Sequence, residues 1–142
     1  MGAIMILKPK HEIAIMKTAL AFAECSVSTR LKVGAVIEKE GRILSCGYNA
    51  LPAFIDGSLE DENGVTLPIV RHAEKSALMG LLRAGISSVG CNLYVTHSCC
   101  KLCAIDIIDA GIQRVVYLQQ YRCSEGLDLL YNAGIVVNKL EI

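Results

Sequence analysis

A histidine followed two residues later by a glutamate, and two cysteines two residues apart, are the parts of this sequence best suited to chemistry. His72 and Glu74 form the first pair, and Cys100 and Cys103 form the second. Imidazole nitrogen and thiolate sulfur are ligands that zinc prefers, and three protein ligands leave a fourth position for water, as in a catalytic site. The sequence therefore predicts a catalytic zinc site bound by His72, Cys100 and Cys103.

A carboxylate beside such a site can move protons. Glu74 is two residues from His72, so it lies near the metal without being needed as a ligand. It can take a proton from the activated water and give it to a leaving group. Each pair alone is weak evidence, since a Cys-x-x-Cys pair is also typical of redox pairs or core thiols. Together, in this order, they are typical of zinc-dependent nucleobase deaminases.

The segments around these residues predict the elements that position them. Apolar residues recur three and four apart over residues 11–23 and 72–83, which indicates amphipathic helices, and a further helix is expected over residues 125–132, ending around Ala133 and Gly134. Ser98 is a suitable N-cap for another helix over residues 99–110. Runs of β-branched and apolar residues predict strands over residues 33–37, 42–48, 92–96, 114–118 and 135–137, and the charged residues 38–41 would form a hairpin turn.

The order of these elements predicts an α/β fold. A hairpin followed by alternating strands and helices implies parallel connections and a mixed five-stranded sheet with helices on both faces, a three-layer α/β/α sandwich. Residues 1–142 suit a single domain. His72 and Glu74 would then lie in the first turn of one helix, with both ligand cysteines near the start of another. Residues 51–68 form a long loop beside the site, either a lid or a solvated insertion.

The composition narrows the function. Fourteen basic and fourteen acidic side chains cancel, so no global positive field would attract a polynucleotide. Mean hydropathy is +0.45, yet no apolar run is long enough to span a bilayer, which favours burial of apolar surface between subunits. Residues 1–7 are too short and lack the basic start of a secretory signal. Seven cysteines suit free thiols in a reducing compartment. We expect a cytoplasmic enzyme with a small substrate and no membrane or polynucleotide partner.

Several short sequence motifs resemble those of a known family. They are VGAVI at 33–37, GRILS at 41–45, GYN at 47–49, HAE at 72–74, LYVTHS at 93–98, CKLC at 100–103 and AGIQRVVY at 110–117. From residue 33 onward the chain resembles the deoxycytidylate (dCMP) deaminases of phages and bacteria, within the zinc-dependent cytidine deaminase superfamily. The resemblance implies that His72, Cys100 and Cys103 bind Zn²⁺ and that Glu74 shuttles protons.

The resemblance also implies a reaction and an assembly. The reaction would convert dCMP and water into dUMP and ammonia, supplying dUMP for thymidylate synthesis. Family precedent implies a homo-oligomer, expected to be a homo-hexamer, in the cytoplasm, or in the host cytoplasm if a phage encodes the chain.

Further residues are assigned to the substrate by the same resemblance. Asn49 matches the superfamily asparagine that contacts the substrate, although a turn residue after a strand would look the same. Ala73 would offer backbone groups to the pyrimidine edge. Arg30 matches a recurring basic residue and would bind the phosphate, with Lys32 as the nearby alternative. Tyr121 lies where the family places an aromatic residue near the substrate.

The chain departs from the family pattern at three places. Cys99 replaces the proline that usually precedes the first ligand cysteine, and it could compete with Cys100 for the metal. Ala50 replaces the glycine of members that dCTP activates and dTTP inhibits, which argues against that regulation. Residues 51–68 contain no cysteine or histidine, so the second, structural zinc of some relatives is not expected.

Other functions stay open at this point. The substrate could be a 5-substituted dCMP, such as 5-hydroxymethyl-dCMP, or another cytosine nucleoside or nucleotide. The neutral charge argues against a tRNA adenosine deaminase. A non-catalytic zinc-binding interaction module would have no need of Glu74. His97, at a strand end beside the site, is one more candidate for substrate contact.

Overall fold

Within residues 4–142, four α-helices and five strands follow one another in the predicted order. The computed structural model describes residues 4–142, so the first three residues of the apolar start lie outside the described part. The helices are α1 (Pro9–Ala23), α2 (Ala73–Ala84), α3 (Lys101–Asp109) and α4 (Glu125–Asn132). The strands are β1 (Gly34–Lys39), β2 (Arg42–Tyr48), β3 (Asn92–His97), β4 (Arg114–Gln119) and β5 (Val136–Lys139).

The strands form one mixed sheet in the order β2-β1-β3-β4-β5. β1 is antiparallel to both of its neighbours, whereas β3, β4 and β5 are parallel. The carboxyl ends of β3 and β4 therefore meet at the same edge, where His97 pairs with Gln119. This edge carries the loops that lead into α3 and α4.

Successive side chains of each strand point to opposite faces of the sheet, so the hydrophobic core is divided into two parts, one on each face. The smaller core lies under α1 and comprises Ile15, Met16, Ala19, Val36, Tyr94 and Val116. The larger core is shared by the other face, α2, α3 and α4, and its members include Ala77, Leu81, Leu93, Val95, Ile107, Val115 and Leu130. The predicted three-layer α/β/α sandwich is confirmed.

The hairpin turn is shorter than the sequence predicted. Residues 38–41 were expected to form it, but β1 continues beyond Glu38 and the turn is Glu40 and Gly41 alone. Both have positive φ, 53° and 80°, which is typical of the two-residue turns that match strand twist. Glu38 stays in the strand because its buried Oε1 accepts a hydrogen bond from Asn92 Nδ2 at 2.7 Å.

Two predicted helix starts were also wrong by one or more residues. Ser98 is not the N-cap of a helix over residues 99–110, because α3 starts at Lys101 with Cys100 as its N-cap. The Ser98 hydroxyl instead accepts a hydrogen bond from the backbone N–H of Tyr121. His72 is likewise the N-cap of α2 rather than part of its first turn. Both N-caps have extended backbone, so the chain enters each helix through a metal-ligand candidate.

Candidate active site and metal centre

The two helix starts bring three donor atoms together. His72 Nδ1 lies 3.1 Å from Cys103 Sγ and 3.6 Å from Cys100 Sγ, and all three donor atoms lie within 4.8 Å of one another. Tetrahedral zinc, with Zn–N of about 2.0 Å and Zn–S of about 2.3 Å, places nitrogen about 3.6 Å from each sulfur and the sulfurs about 3.8 Å apart. The donors therefore fit zinc, and the three positions predicted from the sequence meet in space.

The local electrostatics favour thiolate at this position. Hydrogen bonds with Cys103 and His72, together with the His72 charge, lower the pKa of Cys100 to about 3. The hydrogen bond with Cys100, together with burial, raises the pKa of Cys103, so the pair retains one proton. Aligned N–H groups at the helix starts add to the stabilisation of negative charge. Because a coordinating thiol is deprotonated, zinc binding would release that proton.

Glu74 occupies the second position of α2, directly beside the donor group. Its side chain is 4% exposed, and burial raises the pKa of its carboxyl to about 7. The charge of His72 opposes this rise. A carboxyl with a pKa near neutrality can both accept and return a proton, which is what a general acid and base needs. The structure thus places Glu74 where the sequence predicted it.

Cys99 faces away from the donor group. It is 1% exposed within the larger core, and burial raises the pKa of its thiol to about 12. The cluster of metal-binding donors formed by the described residues contains Cys100 and Cys103 but not Cys99. This geometry gives no support to competition between Cys99 and Cys100 for the metal.

A pocket of about 190 Å³ opens beside the donors. The predicted substrate residues Arg30, Asn49, Ala73 and Tyr121 all line it, together with His97. Six further lining residues had not been assigned to the site from the sequence, and they are Ser28, Leu31, Val33, Thr66, Val70 and Ser98. The pocket thus joins the long loop, the segment before β1, and the ends of β3 and β4.

Asn49 has a structural role as well as a place in the pocket. Its Oδ1 accepts a hydrogen bond from Val33 N at 2.9 Å, and its Nδ2 donates to Leu31 O at 2.8 Å. A side-chain amide has one further N–H and one further lone pair. Asn49 therefore fixes the segment before β1 and retains capacity for a substrate.

The loops after β3 and β4 are tied together by Ser98. Its hydroxyl oxygen accepts a hydrogen bond from Tyr121 N at 2.6 Å, and its N–H donates to Gln119 O at 2.9 Å. This contact sets the backbone that carries the Tyr121 ring in the pocket. Nearby, His97 Nδ1 lies 3.2 Å from Thr96 Oγ1, and burial lowers the pKa of His97, which favours its neutral form.

Arg30 is the better placed of the two basic candidates. It is exposed and lines the pocket, with Nη1 3.4 Å from Thr66 Oγ1, whereas Lys32 is not part of the lining. The salt bridges found within residues 4–142 do not include Arg30. Its guanidinium therefore stands at the pocket without a carboxylate partner from the described residues.

Comparisons with known proteins agree with this geometry. Residues 9–119 match the model of the cytidine and deoxycytidylate deaminase zinc-binding region. A deoxycytidylate deaminase of Saccharomyces cerevisiae is 33% identical over 146 residues, which cover 94% of this chain and 46% of that protein. The chain thus spans about half the length of its yeast relative.

Phage relatives match over more of their length. A deoxycytidylate deaminase of Mycobacterium phage D29 is 33% identical over 78% of this chain and 95% of its own. The crystal structure of dCMP deaminase from the cyanophage S-TIM5, in complex with dCMP and dUMP, has a TM-score of 0.92 and 39% identity and covers 94% of this chain and 99% of that one. The chain therefore belongs to the zinc-binding family of cytidine and deoxycytidylate deaminases.

Proposed function

We propose that this chain is a deoxycytidylate deaminase, which hydrolyses dCMP to dUMP and ammonia and supplies dUMP for thymidylate synthesis. The observation that carries the proposal is the buried Glu74 carboxylate beside the donors His72, Cys100 and Cys103, in a pocket that Arg30 also lines. The similarity to the S-TIM5 enzyme, described in complex with dCMP and dUMP, supports this substrate and product.

The mechanism divides the work among the pocket residues. Zinc held by His72, Cys100 and Cys103 would supply a hydroxide nucleophile near neutral pH. Glu74 takes one proton from the attacking water and delivers it to N3 of the base as the C–O bond forms at C4. It then carries the proton of the new C4 hydroxyl to the amino group, so that the C–N bond breaks, ammonia departs and C4 becomes a carbonyl. Its raised pKa suits both transfers.

The remaining residues hold the substrate. Asn49 has one N–H and one lone pair left after binding the segment before β1, and the Ala73 backbone borders the pocket beside Glu74. Arg30 would pair with the monophosphate, whose geometry suits a guanidinium. Tyr121 offers a ring on which a pyrimidine or sugar can pack. These roles follow from the position of each side chain around the pocket.

Ultraviolet absorbance of a substrate panel tests the proposal. Zinc-loaded protein would be given dCMP, 5-hydroxymethyl-dCMP, dCTP, deoxycytidine, cytidine and cytosine, with Glu74→Gln as the matched variant. We expect dCMP to be the preferred unmodified substrate and Glu74→Gln to keep its zinc while losing activity by about a hundredfold or more. Preference for cytidine would contradict the phosphate role, and no deamination of any compound would favour a zinc-binding interaction module.

We further propose that the chain, acting as one domain over residues 1–142, assembles into a homo-oligomer, with a hexamer as the expected size. Large apolar side chains stand exposed on α2 and α3, including Leu82 at 71% and Leu102 at 72%. Such a surface is typical of an interface between subunits. Light scattering of the wild type and of Leu82→Glu tests this, and we expect the variant to be smaller with an unchanged circular dichroism spectrum. An unchanged mass would contradict this interface.

The proposed location is the cytoplasm, of a host cell if a phage encodes the chain. The ligand cysteines need a reducing compartment to remain available for zinc. None of the helices within residues 4–142 has the length and apolar character required to cross a membrane. The formal charge of zero supports a mononucleotide rather than a polynucleotide substrate.

A further inference from the structure

The segment over residues 26–33, here called the arm, forms one wall of the pocket and carries Arg30. Both ends of the arm are attached to Asn49, which directly follows β2. Ser26 Oγ donates to Asn49 O at 2.8 Å, and the Asn49 side chain binds the backbone of Leu31 and Val33. These contacts hold the two ends of the arm but not its centre.

The centre of the arm is held by one carboxylate from the long loop. Glu60 Oε2 accepts a hydrogen bond from Ser28 Oγ at 2.8 Å, and Glu60 Oε1 accepts from Thr29 N at 3.0 Å and Thr29 Oγ1 at 2.8 Å. Ser28 Oγ in turn accepts from the N–H groups of Arg30 and Leu31, at 3.2 and 3.1 Å. The turn that carries Arg30 is therefore built on the Ser28 hydroxyl, which Glu60 orients.

Glu60 is itself fixed within an ordered part of the long loop. Residues 59–67, here called the loop hairpin, pair through Leu67 N to Leu59 O at 2.8 Å, with Glu60 bridged directly to Thr66. Leu59 is fully buried, and Asp61 Oδ1 closes the turn. The loop hairpin thus presents Glu60 and Thr66 together, and Thr66 Oγ1 is the acceptor that faces Arg30.

The arrangement holds Arg30 near a carboxylate without a salt bridge between them among the described residues. A carboxylate near an arginine would ordinarily form a bidentate pair with it. Here Glu60 is only 7% exposed and accepts hydrogen bonds from two hydroxyls and a backbone N–H of the arm. These hydrogen bonds, together with the nearby charge of Arg30, lower the pKa of its carboxyl. Arg30 keeps only the neutral Thr66 hydroxyl as a side-chain partner among the described residues, which leaves its other donors for an anion.

We propose that Glu60 is a positioning residue for recognition of the substrate monophosphate, acting through Ser28 and Thr29 to hold Arg30 at the pocket. The inference rests on the proposed function, since the phosphate of dCMP is the anion that Arg30 would bind. Glu60 does not contact the substrate. Its effect is on the geometry of the arm, so it acts on the binding of a phosphorylated substrate and not on the chemistry at the base.

Kinetics with and without the phosphate test this assignment. Glu60→Ala is expected to raise KM for dCMP by about ten- to a hundredfold, which is the change in affinity that the loss of one charge-assisted hydrogen bond produces. Its kcat and its activity on deoxycytidine should change little. Arg30→Gln should behave alike, and the double variant should be no worse than Arg30→Gln. Glu62→Gln, an exposed acid of the same loop hairpin, is the matched control. Equal loss on both substrates, or multiplied losses in the double variant, would overturn the assignment.

Two measurements without turnover separate this inference from the proposed function. Hydrogen–deuterium exchange over residues 26–33 should accelerate in Glu60→Ala and in the milder Thr29→Val, but not in Glu62→Gln. Calorimetry in a Glu74→Gln background should show weaker dCMP binding when Glu60 is also replaced, at equal zinc content. If the wild type failed to deaminate dCMP, these results would still decide the role of Glu60. Unchanged exchange in the arm or unchanged dCMP affinity would refute it.

Discussion

Cys99 and Cys100 are adjacent in the chain, yet their environments are opposite. Cys100 is the N-cap of α3, where hydrogen bonds with Cys103 and His72 lower the pKa of its thiol. Cys99 points into the core, where burial raises the pKa of its thiol. A step of one residue along extended backbone reverses the direction of the side chain. The start of the helix therefore decides which of the two cysteines faces the metal.

Zinc content after substitution tests that division. Cys100→Ser and Cys103→Ser are expected to lose most bound zinc, because each removes one of three ligands. Cys99→Ala should keep its zinc and lose about 1 kcal/mol in the free energy of unfolding, the usual cost of a modest core truncation. Metal analysis of the purified variants measures the first effect, and urea unfolding measures the second. Full zinc in Cys100→Ser with loss in Cys99→Ala would reverse the assignment.

Ser98 offers a prediction about substrate geometry. Ser98→Ala removes the acceptor for Tyr121 N and frees the loop after β4. We expect KM for dCMP to rise several-fold while zinc content stays constant, since Ser98 is not a ligand candidate. Ser88→Ala is a suitable control, because it removes a serine hydrogen bond to a backbone carbonyl, that of Ala110, outside the pocket lining. A similar change of KM in both variants would show that the effect is not specific to the Tyr121 loop.

At the scale of elements, α4 supports the metal-binding loop by close contact. Gly126, in the first turn of α4, lies so near that a Cβ there would be 2.2 Å from Cys99 O and 2.9 Å from Cys100 O. These distances are too short for any side chain. Because Gly126 has no side chain, α4 can pack closely against the backbone of Cys99 and Cys100, which orients the Cys100 side chain.

Gly126→Ala should accordingly destabilise the protein, although alanine has a higher helix propensity than glycine. Alanine in a helix is normally more stable than glycine by about 1 kcal/mol. Here we expect a lower free energy of unfolding and weaker zinc binding, because the Cys99 carbonyl must move. Glu125→Ala, exposed at the neighbouring position, is the control for propensity alone. Zinc titration against a chelator and urea unfolding measure both effects, and a stabilised Gly126→Ala with normal zinc affinity would contradict the contact.

The elements themselves were largely predictable from local patterns. Amphipathic spacing identified α1 and α2, residue types at the ends of the segments identified α3 and α4, and β-branched runs identified the five strands that the structure contains within residues 4–142. The starts of α2 and α3 were not predictable, because His72 and Cys100 serve as N-caps without a side-chain capping hydrogen bond. Ser98 looked like a better cap by residue type, but its hydroxyl binds Tyr121, 23 positions away. Tertiary contact overrode the local preference.

In the candidate site, too, some residues could be predicted from the local sequence and others could not. Its ligand residues could be found because their spacing is local and chemically specific. Ser28, Glu60 and Thr66 carry no such signal, because their places depend on contacts between positions 32 and 36 residues apart. Single residues of common type in a loop gain meaning only when the chain has folded. The wall of the pocket was therefore less predictable than its metal centre.

At the scale of the whole molecule, a buried ion pair joins α1 to β4 on the face of the sheet that α1 covers. Arg114 Nη1 lies 2.6 Å from Glu12 Oε2, and Tyr94 OH donates to the same oxygen at 2.7 Å. Arg114 Nε also donates to Asn138 Oδ1 at 2.8 Å, so that α1, β3, β4 and β5 meet in one network. Burial would raise the pKa of Glu12, but the hydrogen bonds from Arg114 and Tyr94 outweigh it and lower the pKa.

This network predicts sensitivity to acid. Because the pKa of Glu12 is lower in the folded chain than in the unfolded chain, its contribution is complete above the ordinary carboxyl value and is lost as pH falls through the folded value. Glu12→Gln should lower the free energy of unfolding at pH 7 by about 3–5 kcal/mol, the cost of breaking a buried pair. The free energy of unfolding of this variant should also decrease less steeply as the pH falls. Urea unfolding between pH 7 and pH 3 measures this.

Glu141→Gln provides the control for that experiment. Its carboxylate is highly exposed and only 4.0 Å from Lys139 Nζ, so an exposed pair of little energetic value is removed. We expect a change within about 0.5 kcal/mol at every pH. If Glu12→Gln matched Glu141→Gln at neutral pH, the buried network would not contribute to stability.

The N-cap positions of His72 and Cys100 have a further consequence for the metal supply of the cell. Zinc bound at these two helix starts is a removable cross-link between α2 and α3, which β3 separates along the chain. The free energy of unfolding should then rise by about 1.4 kcal/mol for each tenfold increase in free zinc above its dissociation constant. Melting curves at buffered zinc, in the wild type and in Glu74→Gln, should shift in parallel. The lifetime of the folded enzyme, and hence its abundance, would then follow zinc availability even where no substrate is present.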